Sequence, residues 1–126
     1  MSAQTSDVLA VGLNGQVLGL SADDGQVKWQ HQVEPGGDVV VARAGPLVLA
    51  SGGSRLVGVS AADGVKRFDL PVPGAWQQLP TMLVAGSMLL LASAGEVVCF
   101  ELDGVTPRVR WYNQLKGRGL GAVTLA

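Results

Sequence analysis

The sequence holds one cysteine, Cys99, and one histidine, His31. A single thiol closes no intrachain disulfide, so the fold must rest on a hydrophobic core and nothing marks a secreted disulfide scaffold. The two residues lie far apart in the chain, and no CxxC or HExxH spacing occurs, which removes the usual signals of a nucleophile–base pair or a metal centre. Charge is also sparse: 15% of residues are charged and the formal net charge is -1. That balance gives no electrostatic reason to expect nucleic acid or an acidic membrane surface as a partner. Arg108, Arg110, Lys116 and Arg118 make the C-terminal part locally basic, but four charges are read as exposed strand-edge and loop residues. Long apolar runs are missing as well. The most apolar stretch, residues 82–95, is interrupted by Gly86-Ser87 and closed by Glu96, and its length of about 14 residues falls short of the ~20 that a spanning helix needs. Two adjacent strands are expected there. The first seven residues lack the basic start and apolar core of a signal peptide, so a cytoplasmic location is the expectation.

What is abundant points one way. Hydrophobic residues make up 48% of the chain and Gly alone numbers 18, a combination that suits many short strands joined by glycine turns. A repeat organises them. Gly19-Leu20-Ser21-Ala22-Asp23-Asp24-Gly25-Gln26-Val27-Lys28-Trp29 returns as Gly58-Val59-Ser60-Ala61-Ala62-Asp63-Gly64-Val65-Lys66-Arg67-Phe68. A third copy runs from Cys99-Phe100-Glu101-Leu102-Asp103-Gly104 to Arg108-Val109-Arg110-Trp111, with a longer turn. Asp-Gly between alternating apolar segments predicts tight hairpins of type I′ at Gly25, Gly64 and Gly104, with positive φ at both central residues. The closing aromatics Trp29, Phe68 and Trp111 stand 39 and 43 residues apart, a period that fits propeller blades and not helical or leucine-rich repeats. Equivalent buried positions between blades are expected for all three.

Taken in order, the chain divides into units at residues 7–34, 38–70 and 76–115, separated by Pro35-Gly36-Gly37 and by Pro71, Pro73 and Gly74. The second and third units each read as four strands, A to D, whereas the first begins at strand B. Residues 120–126 match an A strand that has no blade of its own. The order is BCD-ABCD-ABCD-A, an all-β chain of three propeller blades.

The repeat around Trp29 resembles that of the PQQ-like β-propellers, a family that includes quinoprotein dehydrogenases and outer-membrane assembly propellers. The resemblance extends over essentially the whole chain and is weakest in the third unit, where Val105-Thr106-Pro107 lengthens the hairpin. It implies that the repeat Gly supports the C–D hairpin and that the Trp docks between adjacent blades. It implies little about activity, because one fold carries many functions.

Individual residues do not supply a reaction. Asp23, Asp24, Asp63 and Asp103 recur at the same place in each repeat, in or beside a turn, which is a structural position; no closely spaced set of oxygen ligands is present. The glycine-rich stretches 50–54 and 117–121 are followed by neither Lys-Ser/Thr nor a helical pattern, so they read as turns and not as phosphate cradles. Trp76, with Gln77 and Gln78, lies outside the hairpin register, and an aromatic beside two amides is a candidate ligand contact as well as a packing residue. The expectation is a non-enzymatic scaffold or protein-interaction module without cofactor or metal. A carbohydrate- or small-molecule-binding propeller is the alternative, and a quinone-dependent oxidoreductase is a third reading with no calcium or cofactor ligands to support it. Closed propellers need between four and eight blades, so three must be completed. Joining two copies end to end places Trp111 of one 44 residues from Trp29 of the next, which keeps the repeat in phase. A homodimer closing a six-bladed ring is expected, with residues 120–126 completing the partner's first blade; a ring shared with another propeller chain is the variant.

Overall fold

The computed structural model describes residues 7–74, 76, 78–104, 106–119 and 121–126, which form three antiparallel sheets. The first holds β1 (Val8–Leu13), β2 (Gln16–Ser21) and β3 (Val27–Gln32) in that order. The second runs β4 (Val40–Ala44), β5 (Leu47–Ser51), β6 (Arg55–Ser60), β7 (Lys66–Pro71), and the third β8 (Thr81–Ala85), β9 (Met88–Ser93), β10 (Glu96–Glu101), β11 (Arg108–Asn113). Each sheet is an up-and-down meander, the form of a propeller blade. The apolar stretch at residues 82–95 resolves into the β8–β9 hairpin, as its glycine interruption predicted.

The repeat register is visible in the pairing. Trp29 lies opposite Gly19, Phe68 opposite Gly58, and Trp111 opposite Cys99, and in every blade a bulge follows immediately. The glycines are there for space: a Cβ on Gly19 would sit 2.2 Å from Trp29 Cε2, and one on Gly58 would sit 2.3 Å from Phe68 Cε2. The rings therefore lie across a backbone that has no side chain.

The predicted type I′ geometry at the Asp-Gly positions is corrected. Gly25, Gly64 and Gly104 have positive φ, but their aspartates do not. Instead Gly25 N–H donates to Ser21 O, Ser21 N–H to Gln26 O, and Asp24 Oδ1 accepts from Gln26 N–H. The Asp side chain closes its own turn two residues on, so only one left-handed residue is needed and Gly provides it. The two-residue turns with positive φ at both positions are Asn14-Gly15 and Ala94-Gly95.

Blade two is the centre of the molecule. Along β5, Val48 and Ala50 join the core shared with blade one and Leu49 joins the core shared with blade three. Strand alternation sends successive side chains to opposite faces, and all three are fully buried. Each such burial is worth about 1.5–3 kcal/mol for Val or Leu. The innermost strands stand side by side, β4 against β8 and β1 against β4. Residues 121–126 belong to no strand, yet Thr81 Oγ1 donates to Val123 O at 2.6 Å, so this segment runs beside β8.

Candidate functional site: two uncovered blade faces

The joint between blades one and two shows how this chain locks one blade to the next. Trp29, on β3, reaches the β6–β7 turn and donates its indole N–H to Ala61 O at 2.9 Å. His31, two residues on, places Nε2 2.6 Å from Gly64 O; a carbonyl only accepts, so this nitrogen carries the proton. The Trp29 side chain packs so close to the turn that a Cβ on Gly64 would lie 2.6 Å from Trp29 Cβ. A second tie is Glu34, buried after β3. Its carboxylate accepts from the N–H groups of Gly52, Ser54 and Arg55 and from Ser54 Oγ, on the β5–β6 turn and the first residue of β6.

At the second joint Phe68 is 7% exposed and faces a 230 Å³ cavity that it lines with Leu47, Arg67, Leu102, Gly104 and Pro107. Trp76 supplies the tie. Its backbone N–H donates to Gly53 O and its indole N–H to Glu96 Oε1 at 2.8 Å, while Tyr112 OH donates to the same oxygen at 2.5 Å. The carboxylate beside the phenol, followed by partial burial, pushes the Tyr112 hydroxyl above its ordinary range. Trp76 is 6% exposed, so it serves as packing between the blades and not as an open ligand platform. Gln78 is exposed and its carbonyl accepts from Ser93 Oγ, whereas Gln77 lies outside the described residues. His31 and Cys99 are in different blades; Cys99 is buried, which pushes its thiol up and away from the reactive thiolate. Among the described residues no group of three or more acidic, His or Cys side chains converges to hold a metal ion.

The outer faces of the molecule break the pattern. Leu9 pairs with Leu20 on β1–β2 as Val48 pairs with Val59 and Leu89 with Phe100. Val48 and Leu89 are 0% exposed, because a preceding blade covers each, but Leu9 is 58% exposed. On the opposite side Val97 of blade three occupies the place of Val17 and Leu56, which are fully buried, and is itself only half-buried. Trp111, expected to be buried like its equivalents, is 43% exposed. Two causes account for this: no described blade lies beside it, and the glycine beneath Trp29 is replaced by Cys99, whose Cβ takes the space a flat ring would use. Blade one thus presents a bare entry face, and blade three a bare exit face. The sequence repeat locates both, since residues equivalent to buried ones stand at its two ends.

The comparisons agree with this architecture. No curated protein matches the chain by sequence. Among solved structures, the chain resembles a europium-containing methanol dehydrogenase at 12% identity and TM-score 0.64, over 83% of this chain and 22% of that one. It resembles BamB from Moraxella catarrhalis at 18% identity and TM-score 0.63, over 90% of this chain and 34% of that one. The chain therefore spans about a third or less of the length of these structures, and at such identities the likeness concerns the fold. A family model described as outer membrane protein assembly factor BamB matches residues 13–126, nearly the whole repeat array, and by that match, with the Gly–aromatic blade register, the chain belongs to the PQQ-like, BamB-type β-propeller repeat family.

Proposed function

We propose that this chain is a non-enzymatic propeller scaffold, a protein-interaction module that works through the open faces of blades one and three, two copies closing one six-bladed ring. The observation that carries the reading is the contrast at equivalent positions: Leu9 is 58% exposed where Val48 and Leu89 are 0% exposed. An apolar blade face of this kind is stable only when another blade or partner covers it. Blade one has three strands, with β1 at its inner edge, and residues 121–126 lie beside β8 through the Thr81–Val123 bond. The innermost strands already stand beside one another, β1 next to β4 and β4 next to β8, so a segment tied to β8 is suited to serve as the inner strand of a following blade. The assembly role in the family's description is consistent with a scaffold.

Light scattering of the purified chain tests this. The expected mass is twice 12.9 kDa, and deletion of residues 119–126 is expected to give monomers or aggregates. A stable, folded monomer of the intact chain at all concentrations overturns the reading.

A further inference from the structure

The two joints inside the chain follow one plan but are filled to different extents. At the first, Trp29 lies across Gly19 and its indole reaches the β6–β7 turn. At the second, Phe68 lies across Gly58 in the same way, but its side chain is one ring smaller. The turn it faces is also wider. Residues 61–65 join β6 to β7, whereas residues 102–107 join β10 to β11, one residue more. A smaller ring against a longer turn leaves the 230 Å³ cavity between blades two and three. The turn glycines register the difference: a Cβ on Gly64 would lie 2.6 Å from Trp29 Cβ, whereas one on Gly104 meets no described atom within 4 Å.

We infer that this cavity binds a small flat aromatic carboxylate, its rings held against Phe68, Leu47, Leu102 and Pro107 and its carboxylate against the Arg67 guanidinium. The site lies within one chain, so the inference is independent of whether two copies close a ring.

The lining decides the chemistry. Phe68 and Pro107 are buried and Leu47 and Leu102 half-buried. None of the four carries a side-chain donor or acceptor, so a sugar or a phosphate would leave polar groups unpaired against them. An aromatic face suits the Phe68 ring, and the first joint already seats a fused ring system at the equivalent place. Size agrees. An apolar cavity of about 150 Å³ holds one benzene, so 230 Å³ admits a fused pair of rings. Arg67 is the one charged residue in the described lining, and it is exposed. Its closest carboxylate among the described residues, Asp63 Oδ2, lies 3.8 Å away, beyond hydrogen-bond distance. The guanidinium therefore has N–H groups to offer a ligand carboxylate, which it binds through two parallel bonds.

Isothermal titration of the full chain with 2-naphthoate tests the inference, read beside 2-naphthamide, which keeps the rings and loses the charge. One site per chain is expected, with a Kd of about 0.1 mM, a value that a ligand of this size reaches. The amide should bind about 10-fold more weakly. Arg67→Gln should weaken the carboxylate by a similar factor and leave the amide unchanged. Phe68→Trp, for which Gly58 provides the space that Gly19 provides for Trp29, should fill the cavity, abolish binding and raise Tm. Nuclear Overhauser contacts from the naphthyl protons to the Leu47 and Leu102 methyl groups should locate the ligand independently of whether Phe68→Trp folds. The assignment is overturned by no saturable binding at about 1 mM, by contacts elsewhere on the chain, by binding that survives in folded Phe68→Trp, or by an amide that binds as tightly as the carboxylate.

Discussion

Tyr112 is the only tyrosine in the chain, so its hydroxyl can be followed without interference. It donates to Glu96 Oε1 beside the Trp76 indole, and the phenolate it would form faces that carboxylate. The hydroxyl is accordingly raised above its ordinary range, first by the bond to Glu96 and then by burial. For a group whose folded value is raised, the added stability is complete below the unfolded value and disappears as pH climbs through the folded one. Absorbance titration at alkaline pH is expected to give a midpoint above that of free tyrosine, and Glu96→Gln to bring it down. An unshifted midpoint in the native protein would mean that the Trp76–Glu96–Tyr112 cluster does not form. None of this cluster was legible in the sequence. Trp76 stood out as an aromatic out of register, but Glu96 is twenty residues away and only the closing of blade three against blade two brings them together. Glu34 was silent for a related reason. Its partners are mostly backbone N–H groups, which every residue carries, so no side-chain pattern announces them.

Among elements, the hairpins were the most legible feature and the most instructive departure. Alternation and Asp-Gly placed β2–β3 and β6–β7 within a residue or two, while the turn type depended on a side-chain bond that competes with the expected geometry. The structure turns these two hairpins into a controlled pair, because Gly25 and Gly64 share a backbone conformation and differ in their surroundings. Ala at either site carries a left-handed penalty of about 1–2 kcal/mol. At Gly64 the new methyl must also displace Trp29, and overpacking of this kind costs a further ~1–3 kcal/mol. Chemical denaturation at low protein concentration should therefore find Gly64→Ala the more destabilising by at least about 1 kcal/mol. Equal losses would show that Trp29 does not press on the turn. The blade count and the order of β1 to β11 were equally readable, since each blade repeats one hairpin around one aromatic, but the A strand expected at residues 120–126 is not formed at 121–126; what the repeat also did not reveal is that Trp111 lies over Cys99 and so cannot adopt the pose of Trp29.

At the scale of the molecule, the three blades share one architecture but not one environment. Blade two is sandwiched, and Val48, Leu49, Ala50, Leu56, Val57 and Val59 are all fully buried. Blade one is covered only on the side of blade two, and its first strand has an unpaired edge with Leu9 and Leu13 exposed. Blade three is covered only on its entry side. Local opening follows the number of buried contacts that must be broken, so the free energy of opening should be largest in the middle and fall towards both ends. Hydrogen exchange on dilute protein is expected to protect β5 and β6 most strongly and β1 and β11 least. Raising the concentration should then act unequally. If two copies close a ring, every blade becomes a middle blade: β1 gains a neighbouring strand, the turn at residues 22–25 gains a cover, and protection at the ends rises towards that of β5 and β6. The central strands have nothing further to gain from a partner beyond the stability of the whole. A gradient that stays fixed from dilute to concentrated solution would mean that the bare faces remain bare, and one that is flat even when dilute would mean that blades one and three are stabilised by something other than their neighbours.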